Sequence, residues 1–426
     1  MADKSLVSKL CISVIAVGIL VASAVAETKY SIPGADSAGG ASAAAEIQYK
    51  EVEAPEAANP NNVVTAEQWA EIYPEICASY EANGENNYRV SYLDEDQDPY
   101  LVSIYEGFGF AKDYTSAIAH NYTLADVAET ERPHPLANCL TCKTADFTAL
   151  VNTMGKDAYS LNFEDVMPDM TENVGCYSCH ENNAGNKGEL TITHDYTLES
   201  VGDAGIEPAT LVCGQCHIEY YFAPENKATT APYDSIEAMS PDAILAYYDE
   251  MGFSDWTQES TGTGLLKAQH PELETFLGEG SVHASMGLTC ASCHMEKTVS
   301  EDGVAYTSHS LVSPLASEAI LETCASCHQD TDLKAKVEEI QTAVTTREKE
   351  IGNDLAAMKE KLAEAVASGA YSEDELNALR DLHRKAQWYF DFEYVENSEG
   401  AHNSKLSNSC LDKAADYIAQ ANALFK

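Results

Sequence analysis

The chain has 426 residues, of which 45% are hydrophobic and 8% aromatic, so it can form a sizeable core and wholesale disorder is excluded. It has 25 basic and 69 acidic side chains and a formal net charge of -44, which argues against a nucleic acid or an anionic membrane surface as partner. Its 13 cysteines and 12 histidines are too many for an ordinary cytosolic enzyme, so their arrangement carries most of the functional information.

The N-terminus begins with Lys4 and Lys9, and a charge-free stretch over residues 10–26 follows and ends in Ala-Val-Ala. A basic start, an apolar middle and small residues at the end are typical of a secretory signal peptide. The alternative is a short uncleaved anchor, because the stretch is at the lower limit of length for spanning a bilayer. We therefore expect residues 1–26 to be a signal peptide or N-terminal anchor, and the body to be periplasmic or extracytoplasmic.

Three further regions differ in composition. Residues 27–62 are rich in Ala, Gly, Ser, Pro and Glu, which predicts a flexible linker. From residue 63 to residue 330 the apolar spacing is irregular and Gly, Pro and Asn are frequent, which predicts short helices and loops. Residues 331–426 instead show helical periodicity. One stripe runs through Leu333, Val337, Ile340, Val344, Ile351, Leu355, Met358, Leu362 and Val366.

Local signals divide this C-terminal region into long helices. Gly369 is typical of a helix end, and Ser372 with Glu375 forms a capping box that opens the next helix. A last helix is expected over residues 405–424. The predicted fold class is therefore mainly α. The apolar stripe is compatible with core packing alone, and also with a second role as the seam of a dimer.

Ten of the cysteines form five Cys-x-x-Cys pairs, and the residue directly after each pair is His in four cases and Lys in the fifth. The five motifs comprise Cys139, Cys142 and Lys143; Cys176, Cys179 and His180; Cys213, Cys216 and His217; Cys290, Cys293 and His294; and Cys324, Cys327 and His328.

This pattern predicts five covalently bound haem c groups. Two thiols on one helical turn reach the two vinyl groups of a porphyrin, and the next side chain then lies under the iron as an axial ligand. Zinc and iron–sulfur sites also use Cys-x-x-Cys, but nothing in them requires His or Lys at the next position. Bridges within a Cys-x-x-Cys pair are strained and redox-active, so a disulfide framework does not explain the pattern.

Lys143 replaces the expected histidine of one motif. A lysine has a pKa of about 10.4 and must lose its proton to bind iron, and metal binding drives that loss. The alternative is a surface lysine with another side chain on the iron. An unusual ligand is most useful where the opposite face of the haem is open to substrate. Four haems with two histidines each would use eight of the 12 histidines. The histidine count therefore allows a fifth haem that has a lysine on one face and an open opposite face.

The chain resembles the pentahaem cytochrome c nitrite reductase family from about Trp69 to the C-terminus. The matching blocks are CLTCK at 139–143, CGQCHIEYYF at 213–222, KAQHPE at 267–272, AQW at 386–388, ENS at 396–398 and GAHN at 400–403. The resemblance implies six-electron reduction of nitrite to ammonium at the lysine-ligated haem. The alternatives are an electron-transfer cytochrome with six-coordinate irons and a related reductase of sulfite or hydroxylamine.

The resemblance also implies the second ligand of each remaining haem. By position relative to the motifs, His309 corresponds to the distal ligand of the second haem, His120 to that of the third, His402 to that of the fourth and His283 to that of the fifth. His134, His194 and His383 are then left with surface or structural roles.

For the substrate pocket, the resemblance implies Arg132, Tyr220 and His270. Nitrite is an anion, so a protein this acidic needs a local cation to attract it, and Arg132 and a protonated His270 supply one. Tyr220 can donate a proton. The alternatives are that Arg132 pairs with a haem propionate and that Tyr220 only packs on a porphyrin.

The resemblance also implies one calcium ion bound by Glu219, the carbonyl groups of Tyr220 and Lys267, and Gln269, all of them hard oxygen donors.

Expected partners also come from the resemblance. They are nitrite, an electron donor that is either a membrane-bound quinol-oxidising multihaem cytochrome or a small cytochrome, and a second copy of the chain that forms a homodimer through residues 331–426. No nucleic acid is expected.

Two cysteines of the body, Cys77 and Cys410, lie outside the five motifs. An oxidising compartment disfavours free thiols, which suggests the hypothesis of a disulfide between them. The alternative is a pair of buried, unreactive cysteines.

Overall fold

The computed structural model describes residue 47 and residues 51–83, 98–112 and 119–426. The predicted signal peptide or anchor and most of the predicted linker lie outside these residues. Residues 51–62, which we expected to belong to the linker, pack on the body instead. The amide of Val52 donates to the carbonyl of Gly185 at 2.8 Å, and the side chain of Asn61 donates to Asp146 at 3.0 Å.

The described chain before residue 330 consists of short helices and loops, as predicted. None of these helices is long enough to be stable alone, so packing must hold them. The helices are α1 (Ala66–Ala70), α2 (Pro74–Ala82), α3 (Pro99–Ile104), α4 (Thr123–Glu129), α5 (Ala145–Met154), α6 (Phe163–Val166), α7 (Cys176–His180), α8 (Asp195–Val201), α9 (Pro208–Gly214), α10 (Pro241–Met251), α11 (Glu272–Leu277), α12 (Val282–Ser285), α13 (Cys290–His294) and α14 (Glu318–Ala325).

Three small antiparallel hairpins interrupt these helices. Each is a two-stranded sheet, and the strands are β1 (Tyr221–Phe222) with β2 (Thr229–Thr230), β3 (Trp256–Gln258) with β4 (Thr263–Leu265), and β5 (Lys297–Val299) with β6 (Ala305–Thr307). Among the described residues, none of the helices is long and apolar enough to cross a membrane.

Three long helices follow, α15 (Leu333–Ser368), α16 (Glu373–Tyr394) and α17 (Ser404–Leu424). The predicted signals act as expected. Gly369 ends α15 in a left-handed conformation with φ of 64°, which glycine adopts without a steric penalty. Ser372 and Glu375 form the capping box of α16. The prediction of a mainly α fold with long C-terminal helices is confirmed.

The apolar stripe of α15 forms part of the core. Val344, Leu355, Met358 and Leu362 are each at most 1% exposed and belong to one cluster with residues of α16 and α17. Leu333, Val337 and Ile340, at the start of the helix, are only partly buried. Core packing therefore accounts for the stripe from Val344 onward, and its second role in a dimer stays a prediction.

The hypothesised disulfide is wrong. Cys77 and Cys410 are both free and buried, and they belong to different hydrophobic clusters. The Cys77 thiol donates to the carbonyl of Ala66 at 3.6 Å, beside Val64 and Trp69. Cys410 lies in the main core, where burial raises the pKa of its thiol. Both are therefore small, buried core residues.

Carboxylates are buried where α15 packs against the end of α16. Glu348, Glu393 and Glu396 are at most 6% exposed. Burial, followed by repulsion from Glu399 and Glu396, raises the pKa of Glu348 to about 8. An unfolded glutamate titrates near 4.3, so between about pH 4 and pH 8 the folded chain holds a proton that the unfolded chain has lost. The folded state therefore loses stability as pH rises through that window.

We predict that Glu348→Gln stabilises the protein most above pH 8, by on the order of 1–3 kcal/mol, because the neutral amide cannot ionise in the buried site. The gain should vanish near pH 4, where Glu348 is protonated in both states. Urea unfolding at pH 4.5 and pH 8.5 measures this difference. Glu338→Gln, at an exposed position of the same helix, is the matched control. A gain that is equal at both pH values would contradict the prediction.

Candidate functional site

Each of the five cysteine motifs lies on a single helical turn. The second motif is α7 itself and the fourth is α13, while the third and fifth motifs begin near the ends of α9 and α14. The amide of His217 donates to the carbonyl of Cys213 at 3.0 Å, and His328 makes the same bond to Cys324 at 3.0 Å. This turn places the two sulfur atoms of a motif on one side and the next side chain beside them, which is the arrangement that haem attachment needs.

Every motif histidine faces the ring of a second histidine from elsewhere in the chain. These four facing pairs are the ones that the resemblance implied. The ring centroids are 6.4 Å apart for His180 and His309, 6.3 Å for His217 and His120, 6.2 Å for His294 and His402, and 6.3 Å for His328 and His283.

The spacing of the facing pairs matches two imidazoles on opposite sides of one metal. A metal–nitrogen bond to imidazole is about 2.0–2.1 Å, so the centres of two such rings lie roughly 6 Å apart. A fifth pair, His217 and His270, has centroids 6.1 Å apart but a different arrangement. Both rings turn Nδ1 toward Oε1 of Glu272, at 3.5 and 3.9 Å, so they share a carboxylate side by side.

Hydrogen bonds fix several of these rings through Nδ1, which leaves Nε2 for a metal. Nδ1 of His180 lies 2.7 Å from the carbonyl of Glu189, and that of His309 lies 2.9 Å from the carbonyl of Thr307. His402 pairs with Glu396 at 2.5 Å. Burial lowers the pKa of His309 to about 4, so it is neutral at physiological pH, which is the form that binds a metal.

The lysine motif lies in a different environment. The ammonium nitrogen of Lys143 is 3.4 Å from Asp126, and the lysine side chain is 34% exposed. Its carbonyl accepts a hydrogen bond from the hydroxyl of Thr123 at 2.7 Å, which ties the motif to α4. None of the four facing pairs includes a histidine from this motif. In this motif the residue after the cysteine pair is thus a lysine that pairs with a carboxylate and does not face a second imidazole.

Two of the three predicted pocket residues lie beside the lysine motif. Burial raises the pKa of Tyr220, the thiols of Cys142 and Cys139 raise it further, and the charge of Arg132 opposes the rise. Burial also raises the pKa of Cys139, again opposed by Arg132 and Lys143. Arg132 and Tyr220 are thus within electrostatic range of the first motif. A cation and a phenol therefore lie in the neighbourhood of the lysine-bearing motif.

His270, the third predicted pocket residue, is connected to Tyr220 through its neighbours. The amide of Gln269 donates to Oε2 of Glu219 at 2.6 Å, so the residues next to His270 and Tyr220 in sequence are bonded to each other. His270 also lies beside His217, as described above. The structure thus brings His270 to the junction between the pocket and the third motif.

Three of the four predicted calcium ligands, Glu219, Gln269 and the carbonyl group of Lys267, also meet. Glu219 is fully buried, and besides Gln269 it accepts a hydrogen bond from Tyr248 at 2.9 Å. The side-chain nitrogen of Gln269 donates to the carbonyl of Lys267 at 3.1 Å. Burial raises the pKa of Glu219 well above its usual range. A carboxylate, a side-chain amide and a backbone carbonyl form the hard oxygen set that calcium prefers.

The surroundings of this set also suit a cation. Glu274 is 1% exposed and accepts the amide hydrogen of Glu219 at 2.8 Å. Burial raises the pKa of Glu274 to about 8, and its Oε2 is buried with no hydrogen-bond partner among the described residues. Two carboxyl groups this close and this deep are costly when ionised, and a divalent cation would reduce that cost.

The three leftover histidines have structural positions. His194 is 4% exposed and bridges two motifs, because Nε2 lies 3.0 Å from the carbonyl of Thr141 and Nδ1 lies 3.1 Å from Gln215. His383 is fully buried, and the ring of His134 packs on Phe163. For His194 and His383 a surface role is therefore excluded. The bridging position of His194 had no sequence signal, since its partners are far away along the chain.

The family model of cytochrome c552 matches residues 65–426. The chain belongs to this family. Among solved structures, it is similar to the catalytic subunit of a cytochrome c nitrite reductase from Desulfovibrio desulfuricans, a structure with two calcium sites. The TM-score is 0.75 and the identity 25%, over 84% of this chain and 85% of that one.

Two larger cytochromes are less similar. The outer cell wall cytochrome OcwA has a TM-score of 0.39 and 19% identity, over 70% of this chain and 48% of that one. An undecahaem cytochrome from the S-layer of Carboxydothermus ferrireducens has a TM-score of 0.37 and 18% identity, over 72% of this chain and 41% of that one. These similarities are too low to support conclusions about this member of the cytochrome c552 family.

We predict that His309→Ala converts one haem from low-spin to high-spin without loss of haem, because the covalent attachment remains while one axial ligand is removed. Electron paramagnetic resonance of the oxidised protein measures the change. His134→Ala, which removes a histidine outside the facing pairs, is the matched control and should leave the spectrum unchanged. A low-spin spectrum that is unaltered in His309→Ala would rule out His309 as a ligand.

Proposed function

We propose that this protein is an ammonia-forming cytochrome c nitrite reductase, which reduces nitrite to ammonium at a haem ligated by Lys143. One observation carries the proposal. Four motif histidines each face a second imidazole, whereas the lysine motif is bordered by Arg132 and Tyr220. Four sites are thus suited to electron transfer and one to substrate. Membership of the cytochrome c552 family and the similarity to the Desulfovibrio enzyme support it.

The proposal includes five haem c groups. The cysteine pairs of the five motifs would hold them covalently, with Lys143, His180, His217, His294 and His328 as proximal ligands and His120, His283, His309 and His402 as distal ligands. When bound, the lysine-ligated haem supplies electrons to nitrite and a Lewis-acidic iron that binds it, and the other four store and deliver electrons.

The residues around the lysine motif would bind the substrate and supply protons. Nitrite is an anion, and the protein carries a net charge of -44, so the fixed charge of Arg132 provides the local attraction. Arg132 and a protonated His270 can donate hydrogen bonds to the oxygens of nitrite, which leave as water. Tyr220 is within the electrostatic range of Arg132 and can donate a proton, since the reaction takes up eight protons for six electrons.

The calcium ion would act by fixing the positions of the groups that bind it. Glu219, Gln269 and the carbonyl groups of Tyr220 and Lys267 would hold it, and their neighbours Tyr220 and His270 are two of the pocket residues. Fixing the ligands therefore fixes both pocket side chains, and such preorganisation favours catalysis. The buried, unpartnered oxygen of Glu274 supports a cation at this place.

The compartment, the oligomeric state and the electron donor are also part of the proposal. We infer that the protein works outside the cytoplasm, with residues 1–26 as a signal peptide or anchor, and that it forms a homodimer through its long helices. The exposed side of the first half of α15 is available for that contact. A membrane-bound quinol-oxidising multihaem cytochrome or a small cytochrome would donate the electrons.

An assay with reduced methyl viologen as electron donor tests the function. Nitrite should be consumed with ammonium as the product, at six electrons per nitrite, and pyridine haemochrome analysis should give five haems c per chain. Sulfite and hydroxylamine in the same assay distinguish the related reductases. A fully loaded protein that does not produce ammonium from nitrite would contradict the proposal.

We predict that Lys143→His keeps all five haems but lowers nitrite turnover by roughly tenfold or more, because the axial ligand sets the electronic properties of the working iron. Haem content and turnover are measured on the same preparation. Lys156→His, at a half-buried lysine of the same region, is the control. Unchanged turnover in Lys143→His would mean that Lys143 is not the ligand of the working haem.

A further inference from the structure

Three consecutive amide groups, those of residues 267–269, each donate to a different carboxylate. The amide of Lys267 donates to Asp255 at 2.8 Å, that of Ala268 to Asp391 at 2.7 Å and that of Gln269 to Glu219 at 2.6 Å. The segment belongs to no helix or strand. Buried amide groups need acceptors, so these three side chains, the carboxylate clamp, determine the path of the segment.

The clamp also determines where the carbonyl groups point. A peptide unit is planar and trans, so its N–H and C=O point in opposite directions. The amide of Ala268 and the carbonyl of Lys267 belong to the same unit. Since Asp391 accepts the amide hydrogen, the carbonyl of Lys267 is directed away from Asp391, toward the side chain of Gln269. Both groups are proposed calcium ligands.

Asp391 differs from the other two members of the clamp, because it comes from a long helix, in the last turn of α16. It is fully buried, and both of its carboxylate oxygens lie 3.0 Å from the ammonium group of Lys267. The hydroxyl of Tyr105 donates to it as well. The same ammonium group donates to the carbonyl of Ala268 at 2.8 Å. One carboxylate thereby holds both the backbone and the side chain of the segment.

A contribution to stability does not by itself explain this arrangement. Replacing a buried ion pair by apolar side chains of similar size is often neutral or stabilising, because desolvation of the two charges offsets their attraction. Apolar side chains, however, cannot accept the amide hydrogen of Ala268. They therefore cannot fix the orientation of the following residues, Gln269 and His270.

We propose that Asp391 is a positioning residue of the candidate active site, which orients the Lys267 carbonyl and His270 through the peptide unit between residues 267 and 268. This inference rests on the proposed function, in which His270 contacts nitrite. It makes α16 a structural support of the pocket, although α16 supplies none of the proposed haem, calcium or substrate ligands.

The decisive variant replaces both members of the ion pair by apolar residues, as Asp391→Leu with Lys267→Met, so that no unpaired charge stays buried. The matched control is Asp381→Leu with Lys385→Met. That pair lies on the same helix with a distance of 2.7 Å and is partly exposed. Asp391→Asn is the milder second variant, because it keeps the shape of the side chain and an acceptor for Ala268 but removes the charge.

Two measurements on the haem-loaded proteins test the proposal. Hydrogen exchange followed by mass spectrometry should reveal faster exchange in the peptide that covers residues 266–270 of the double variant. Nitrite turnover should fall by about 10- to 100-fold, as expected when a reacting group is misplaced by about 1 Å, while haem content stays at the wild-type value. The control pair should change neither quantity, and Asp391→Asn should have an intermediate effect.

Wild-type exchange and wild-type turnover in both Asp391 variants would overturn the proposal, and so would faster exchange with wild-type turnover. If the wild-type protein itself does not reduce nitrite, the proposed function fails, whereas the exchange measurement still tests whether Asp391 orients residues 267–269. If the double variant does not take up five haems, the turnover and exchange of Asp391→Asn decide the question.

Discussion

The separation of the facing histidine rings is the constraint on which most of this structure depends. Each pair joins a motif helix to a segment far away along the chain, and every pair has nearly the same spacing. The helices that carry the motifs are too short to persist alone, and the region before residue 330 has no regular apolar stripe. Ligation across the proposed haems would therefore add to the hydrophobic clusters that hold this region, one of which also includes residues of α15, α16 and α17.

The sequence predicted features that depend on neighbouring residues. The five motifs, the end of α15 at Gly369 and the capping box of α16 are all encoded within a few positions, and so is the stripe that packs α15. The facing pairs could not be derived from spacing alone, because each joins residues that are far apart. Only the resemblance to a family supplied them, and the geometry brings the same residues together.

The features that sequence reasoning missed are the non-local ones. Asp391 bonds to the segment at 267–269, and His194 bridges two motifs. Nothing near either residue signals its partner. The hypothesised disulfide is wrong for a related reason. An oxidising compartment favours the pairing of thiols, but Cys77 and Cys410 are free and belong to separate hydrophobic clusters. The prediction of a flexible linker, which was made from composition, does not hold for residues 51–62. These residues have few apolar side chains, but backbone and side-chain hydrogen bonds attach them to the body.

The pairing of His294 with His402 has a consequence for how the protein is made. A chain emerging from a ribosome or through a translocation channel presents the fourth motif long before His402, which lies between α16 and α17. The same holds for His180, whose partner His309 follows much later. Haems that are attached as soon as their motifs emerge would therefore have one axial position open to solvent or to other ligands until the partner histidine arrives. Cofactor insertion and folding would then be separate stages of maturation, and the arrival of the C-terminal helices would complete the proposed ligand set of the fourth haem.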